Sequence, residues 1–131
     1  MPELDELQQA RVDTKIKEIT RAYGGQINNL LKEINQARLK SNGRITPTPV
    51  IENNNLRWTL TWKEQQKISF ELNVVVSVED DGHAARVGRV WVHRHASTEI
   101  DFEGHTPTTR MRRLATLSMD AIREAIDAEW S

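Results

Sequence analysis

The sequence predicts an α+β fold: a long N-terminal helix, an antiparallel meander of four or five strands, and a C-terminal helix, with both helices on one face of the sheet. Apolar residues recur every three or four positions in residues 1–43, alternate with polar residues in 56–103, and return to helical spacing in 106–130. A chain of 131 residues is about the size of one domain. We therefore expect a single domain in which both helices cover the apolar side of the sheet.

Composition excludes several classes of protein. The formal net charge is -1, so no global field draws the chain to nucleic acid or to an acidic membrane. There is no cysteine, which rules out disulfides and thiolate metal sites and is typical of a reducing compartment. The N-terminus lacks the apolar run of a secretory signal, and no segment approaches the ~18 consecutive apolar residues of a membrane span. We expect a cytoplasmic protein without a cofactor.

The first 43 residues have the signals of one long helix. Pro2 and a cluster of acids stand at its start, Arg38 and Lys40 near its end, and Gly43 after it. An apolar stripe runs along it at helical spacing: Val12, Ile16, Ile19, Tyr23, Ile27, Leu30, Ile34 and Ala37. A continuous helix would be about 60 Å long, against about 27 Å for an eight-residue strand. One end would overhang the sheet, which predicts self-association through this helix, with a dimer favoured.

Gly24-Gly25 leaves an alternative open. Each glycine costs on the order of 1 kcal/mol relative to alanine inside a helix, so the helix could be kinked near this pair. If the pair is instead a turn, the two halves could fold back as a helical hairpin and a monomer would suffice. The phase of the apolar stripe survives the glycines, which favours a continuous or kinked helix over a turn.

The sheet region begins with a linker, residues 44–55, which contains two prolines and a candidate edge strand near Val50 that turns through three asparagines. The main hairpin follows, Leu56–Lys63 and Ile68–Glu79. Its alternation gives one apolar face: Leu56, Trp58, Leu60 and Trp62 with Ile68, Phe70, Leu72, Val74, Val76 and Val78.

The third predicted strand is Ala85–His95. Val87 is out of phase with the apolar positions that follow it, and Gly88 could mark a bulge. A turn at Ala96-Ser97 would lead to a fourth strand, Thr98–Glu103.

The last helix is predicted from Thr106-Pro107, an N-cap followed by proline, to about residue 130. Three arginines, Arg110, Arg112 and Arg113, would stand in its first turns, where they oppose the helix dipole. A basic cluster there is suited to phosphate or acidic side chains, or it is simply a solvated face. No basic stripe continues from it, so nucleic-acid binding is a weaker hypothesis.

A row of side chains on the third strand is the candidate site. If the valines on this strand face inward, Arg89, Trp91, His93 and His95 face outward, between Glu71 and Asn73 on one side and the acids Glu99, Asp101 and Glu103 on the other. Cross-strand charge pairs would explain the row without a ligand. The alternative is a partner-binding surface, because exposed aromatic residues are frequent hot spots of protein interfaces.

The same row also suggests a metal site. Two histidines at spacing two share a strand face, and Glu99 or Asp101 on a neighbouring strand would complete a set of two histidines and a carboxylate. Here the chain resembles a loosely spaced first cupin motif, which would imply a metal held by two histidines and a glutamate: Gly88, His93, His95, Glu99 and Gly104. Both glycine spacings depart from that motif, the second cupin motif is absent, and a helix follows. We do not assign the chain to the family.

No serine elbow, phosphate-cradling glycine loop or paired-histidine helix is present in the sequence. An enzyme is not excluded, since sites assemble from distant residues, but nothing favours one. The leading hypothesis is a small cytoplasmic interaction or adaptor protein that self-associates through its N-terminal helix and presents the outer row to a protein partner. Metal or small-ligand binding through His93, His95, Glu99 and Asp101 is the alternative.

Overall fold

The structure is a computed structural model that describes residues 2–46, 48–64, 68–98 and 108–128. Within them it has two helices and an antiparallel sheet, which confirms the α+β class and the order of the main elements. The elements are α1 (Pro2–Leu39), β1 (Arg44–Ile45), β2 (Val50–Glu52), β3 (Asn55–Glu64), β4 (Ile68–Asp80), β5 (Ala85–Thr98), β6 (Thr108–Leu114) and α2 (Met119–Ala128). The sheet order is β1-β3-β4-β5-β6, and β2 also pairs with β3.

Helix α1 runs for 38 residues without interruption, so Gly24-Gly25 is not a turn. Its apolar stripe packs on the sheet, and the stripe residues from Val12 to Ile34 are nearly all buried. The helix ends one turn earlier than its glycine suggests, because Lys40 and Ser41 take the left-handed conformation with φ of 51° and 64°. Ala37, which the spacing placed in the stripe, is exposed.

The hairpin of β3 and β4 forms the middle of the sheet in the predicted register. Leu56, Trp58, Leu60 and Trp62 lie opposite Val76, Val74, Leu72 and Phe70. All eight side chains are buried against the helices, and the rings of Trp62 and Phe70 stack with centroids 5.3 Å apart. The face predicted to be apolar is therefore the core.

The predicted linker contributes two short strands to the same edge of β3. Strand β2 pairs with the start of β3 through a tight turn in which Asn53 and Asn54 have φ of 52° and 63°. Asparagine tolerates this left-handed backbone better than other non-glycine residues. The turn places Val50 beside Arg57 on the face of the sheet that points away from the helices.

Gly88 is a bulge in β5. Arg89 pairs with Ser77, but Val87 pairs with Val78, so one residue is extra on β5. The bulge restores the phase of Val87, which packs against the core despite its odd spacing from Val90 and Val92.

Two predictions for the C-terminal third are wrong. The structure has no turn at Ala96-Ser97, because β5 continues to Thr98 beside β4. Residues 108–114 are strand β6 rather than helix, and α2 begins only at Met119. Its N-cap is Ser118, whose hydroxyl oxygen accepts a hydrogen bond from the Ala121 N–H at 3.4 Å.

The physical reason lies in the edge of β5. Without β6, half of the backbone donors and acceptors along Val90–Ala96 would be unpaired, and β6 satisfies them residue by residue. Thr98 belongs to β5, and the rest of the predicted strand Thr98–Glu103, like the N-cap at Thr106, falls on residues 99–107, outside the described residues. Strand β6 occupies the edge of β5 that the sequence assigned to Thr98–Glu103.

Both helices lie on the same side of the sheet. Three α2 residues, Ile122, Ala125 and Ile126, join the core that α1 and the strands share. Ion pairs tie both helices to their surroundings: Arg123 to Glu33 at 2.9 Å between α2 and α1, and Arg11 to Asp80 at 2.7 Å between α1 and β4. Neither described helix is long and apolar enough to cross a membrane.

Candidate functional site

The candidate row stands on the face of the sheet that points away from both helices. Val90 and Val92 are 2% and 1% exposed on the helix side, and alternate residues of a strand point to opposite faces. Arg89 is accordingly exposed on the outer face, while Trp91, His93 and His95 on the same face are half-buried. We call this surface the outer face.

Strand β4 supplies the neighbours that the sequence predicted. Val75 lies opposite Trp91, Asn73 opposite His93, and Glu71 opposite His95. Asn73 is itself only 3% exposed, and its Oδ1 accepts a hydrogen bond of 2.7 Å from the Thr59 hydroxyl on β3. A satisfied polar pair of this kind fixes the floor of the face beside Trp91.

Trp91 and His93 line a depression of about 270 Å³ between the strands and the β2–β3 turn. Its other lining residues are Val50, Glu52, Asn53, Asn55, Arg57, Glu71, Asn73 and Val75. An aromatic ring and two valines are thus surrounded by amides and by charges of both signs. This mixture is suited to an amphipathic protein side chain, since interface pockets combine an apolar floor with a polar rim.

Arg57 and Val50 are among the lining residues that the interpretation of the sequence missed. Arg57 could have been found, because it alternates between the buried Leu56 and Trp58 and must therefore point outward. Val50 could not, because its position depends on how β2 registers against β3.

The two histidines are close but differ in surroundings. Their ring centroids are 6.2 Å apart. The pKa of His93 is lowered, first by its burial and then by its neighbours His95 and Arg57, while Glu71 acts in the opposite direction. The neutral form of His93 is therefore favoured at pH 7, so the positive charge of the face comes chiefly from arginine side chains.

No family model matches the chain, and no curated protein or solved structure is significantly similar to it. The geometry and charge of the outer face are therefore the basis for assigning a function.

The metal hypothesis stays a prediction. No group of three or more His, Asp or Glu side chains suited to a metal occurs among the described residues. Glu99 and Asp101, which would complete the set with His93 and His95, lie outside them. Elemental analysis of the purified protein and of a His93→Ala, His95→Ala variant tests it: metal bound to both proteins, or to neither, would exclude these histidines as ligands.

The arginine cluster is not where the sequence placed it. Arg110, Arg112 and Arg113 belong to strand β6, so they do not share the first turns of a helix. The register puts Arg113 opposite Trp91, whereas Arg112 is opposite the inward-facing Val92. The cluster is thus split between the two faces. Arg113 joins the outer face where the sequence had expected acids.

Proposed function

We propose that this chain is a small, non-catalytic, cytoplasmic interaction protein that presents its outer face to a protein partner and self-associates through α1. One observation carries the proposal: Trp91 lines a depression in a sheet face over which no described element lies. Trp58 and Trp62, in contrast, are 0% and 5% exposed in the core.

The surroundings of Trp91 support a binding role. Interface hot spots are rich in tryptophan, tyrosine and arginine, and they lie in pockets from which the partner expels water. Arg57, Arg89 and Arg113 surround Trp91 on three strands and are all exposed. Their guanidinium groups can donate charge-assisted hydrogen bonds to a partner while Trp91 and Val75 supply apolar contact.

The surface available for self-association is smaller than the sequence suggested. The stripe of α1 is covered by its own sheet at Val12, Ile16 and further along, so most of it cannot meet a second chain. Leu7, at 59% exposed, is the large apolar residue of α1 that remains accessible among the described side chains. We therefore place the self-association at the N-terminal end of α1.

Site-specific photo-crosslinking in cells tests the outer-face proposal. A photoreactive residue at Arg89, beside Trp91, should capture a defined partner, whereas the same residue at Lys17, exposed on α1, should not capture that protein. The purified partner should bind a Trp91→Ala variant at least about tenfold more weakly, because removing a hot-spot side chain costs about 2 kcal/mol or more. Equal capture at both positions, or unchanged affinity, would contradict the proposal.

A further inference from the structure

The N-terminal end of α1 is exposed at the rim of the sheet. Among the described side chains, the contacts nearest this end are Arg11 to Asp80 and Gln9 to Asn54, both in or next to turns between strands. The helix begins at Pro2, so about 10 Å of helix precedes Gln9 at 1.5 Å per residue. Glu6 and Leu7 are both exposed on this segment.

The segment is acidic and carries leucines. Between residues 3 and 7 the sequence is Glu-Leu-Asp-Glu-Leu, and the first basic residue of the chain is Arg11. Acids at a helix N-terminus also stabilise the helix through its dipole, which explains their position but not the exposure of Leu7. We call residues 3–7 the acidic tip.

The outer face has the opposite charge, although the chain as a whole has a net charge of -1. Strand alternation and register place six exposed bases and three exposed acids among its described side chains: Arg44, Arg57, Lys63, Arg86, Arg89 and Arg113 against Glu52, Glu71 and Glu79. Arg86 pairs with Glu79 at 3.1 Å. Arg57, Arg89 and Arg113 form no ion pair with any side chain in the described part of the chain.

We infer that the occupant of the outer face is a second copy of this chain, whose acidic tip docks on the face with Leu7 against Trp91 and the Glu6 carboxylate near Arg57, Arg89 and Arg113. This inference rests on the proposed function. In it, self-association and binding at the outer face are the same contact. Charge complementarity is its basis: an acidic segment with an exposed leucine meets a basic face whose depression has an aromatic ring and two valines among polar side chains.

The contact joins two different surfaces, so it is heterologous. Each chain has one acidic tip and one outer face, and each can bind two neighbours. Such a contact closes into a symmetric dimer if each tip reaches the face of the other chain, and otherwise gives a larger ring or an open filament. In each case the outer face takes part, whereas the sequence favoured a dimer through the N-terminal helix alone.

Sedimentation velocity at low salt, up to about 100 µM, tests the inference with two variants. The tip variant is Glu6→Lys with Leu7→Gln, and the face variant is Arg89→Glu with Arg113→Glu. All four positions are exposed, so the fold should be kept. We expect the wild type to associate, and each variant alone to be monomeric or at least about tenfold weaker in association.

Mixing the two variants is the decisive step. The face variant keeps an intact tip and the tip variant keeps an intact face, so an equimolar mixture should form a 1:1 heterodimer and nothing larger. Raising the salt to about 1 M should weaken it, because the screening length falls to about 3 Å. Two controls match the charge changes on the helix side: Glu18→Lys for the tip, and Lys17→Glu with Lys32→Glu for the face. Both should associate like the wild type.

Three results would overturn the inference. A wild type that is monomeric throughout the range removes both the second copy as occupant and the self-association half of the proposed function; capture of a different protein at Arg89 would then still support the face-binding half. Association that the face variant does not weaken indicates contact between helices instead. A single-stranded oligonucleotide that binds the monomeric wild type, and not the face variant, identifies nucleic acid as the partner of the arginines.

Discussion

Gly43 shows how one residue fixes the path from helix to sheet. The side chain of Asn35 holds it on both sides: the Gly43 N–H donates to Asn35 Oδ1 at 2.7 Å, and Asn35 Nδ2 donates to the Gly43 carbonyl at 3.1 Å. A Cβ at Gly43 would stand 2.8 Å from both Asn35 Oδ1 and Leu60 Cδ1. Glycine is needed for this close approach rather than for a left-handed backbone.

We therefore expect Gly43→Ala to destabilise the protein by about 1–3 kcal/mol, since overpacking forces neighbouring side chains to move. Urea unfolding followed by far-UV circular dichroism measures the change. Gly25→Ala is the control for a Cβ added without a clash, because no atom lies within 4 Å of it, and this variant should not be destabilised. Equal stability of the Gly43→Ala variant and the wild type would show that the Asn35 contact is not tight in solution.

Asp80 makes the free energy of unfolding depend on pH. Arg11 donates two hydrogen bonds to its carboxylate, at 2.7 and 2.9 Å, and the Gly82 N–H donates another at 2.8 Å. These bonds, first that from Arg11, lower the pKa of Asp80 from 3.8 to about 2. The unfolded chain therefore takes up the proton at a higher pH than the folded chain does.

The stabilisation from Asp80 should be complete above about pH 4 and should be lost as the pH falls towards 2. An Asp80→Asn variant should be less stable at neutral pH and should lose less stability than the wild type between pH 4 and 2. Thermal melts across this range measure the difference. Glu124 is an exposed carboxylate on α2, so the Tm of a Glu124→Gln variant should depend on pH as that of the wild type does. If the Tm of Asp80→Asn also follows the wild type, Arg11 does not hold the Asp80 carboxylate in solution.

At the scale of elements, α1 stays helical through a pair of glycines that weaken it. A Cβ at Gly24 would be 3.7 Å from Thr20 Cγ2 and 3.9 Å from Trp58 Nε1, which are ordinary contacts. Gly24→Ala and Gly25→Ala should therefore each stabilise the protein by about 0.5–1 kcal/mol, because alanine loses less backbone entropy in a helix. Differential scanning calorimetry should show a higher Tm for both. A lower Tm for Gly24→Ala alone would mean that Trp58 packs more closely on α1 than these distances indicate.

Helices and strands were predictable from the sequence where a single buried face imposes a regular spacing of apolar residues. The β3–β4 hairpin, the bulge at Gly88 and the stripe of α1 followed from periodicity, because each has one apolar face and a core to pack on. Residues 108–114 were not predictable in this way: Met111 and Leu114 are three positions apart, which fits a helix, whereas the structure has a strand. What decides between the two is the open edge of β5, a tertiary feature that no local pattern contains. The sequence had placed Arg113 on a helix and acids beside the candidate row. In the structure Arg113 lies on the outer face instead, so that side of the candidate site is basic.

At the scale of the molecule, net charge hides the feature on which the proposed functions depend. A value of -1 argued against an anionic partner, yet among the described side chains six exposed bases and three exposed acids lie on one uncovered sheet face, while an acidic cluster stands at one helix end. Because the Debye length at physiological salt is about 8 Å, a partner responds to the local patch rather than to the sum over the chain. Only the strand register reveals the patch, since the bases come from four separate strands.

The core also joins the whole molecule into one unit. Ile122 of α2 is 0% exposed and shares its core with Trp58 and Trp62 of β3. Ile122→Ala should cost about 2–5 kcal/mol, and the tryptophan fluorescence and far-UV circular dichroism transitions should shift together, because removing α2 exposes the same core that buries both tryptophans. Glu124→Ala, on the exposed side of α2, should shift neither transition by more than about 0.5 kcal/mol. If Ile122→Ala reduces the helical signal but leaves the tryptophan transition in place, α2 unfolds independently and the sheet with α1 is the cooperative unit.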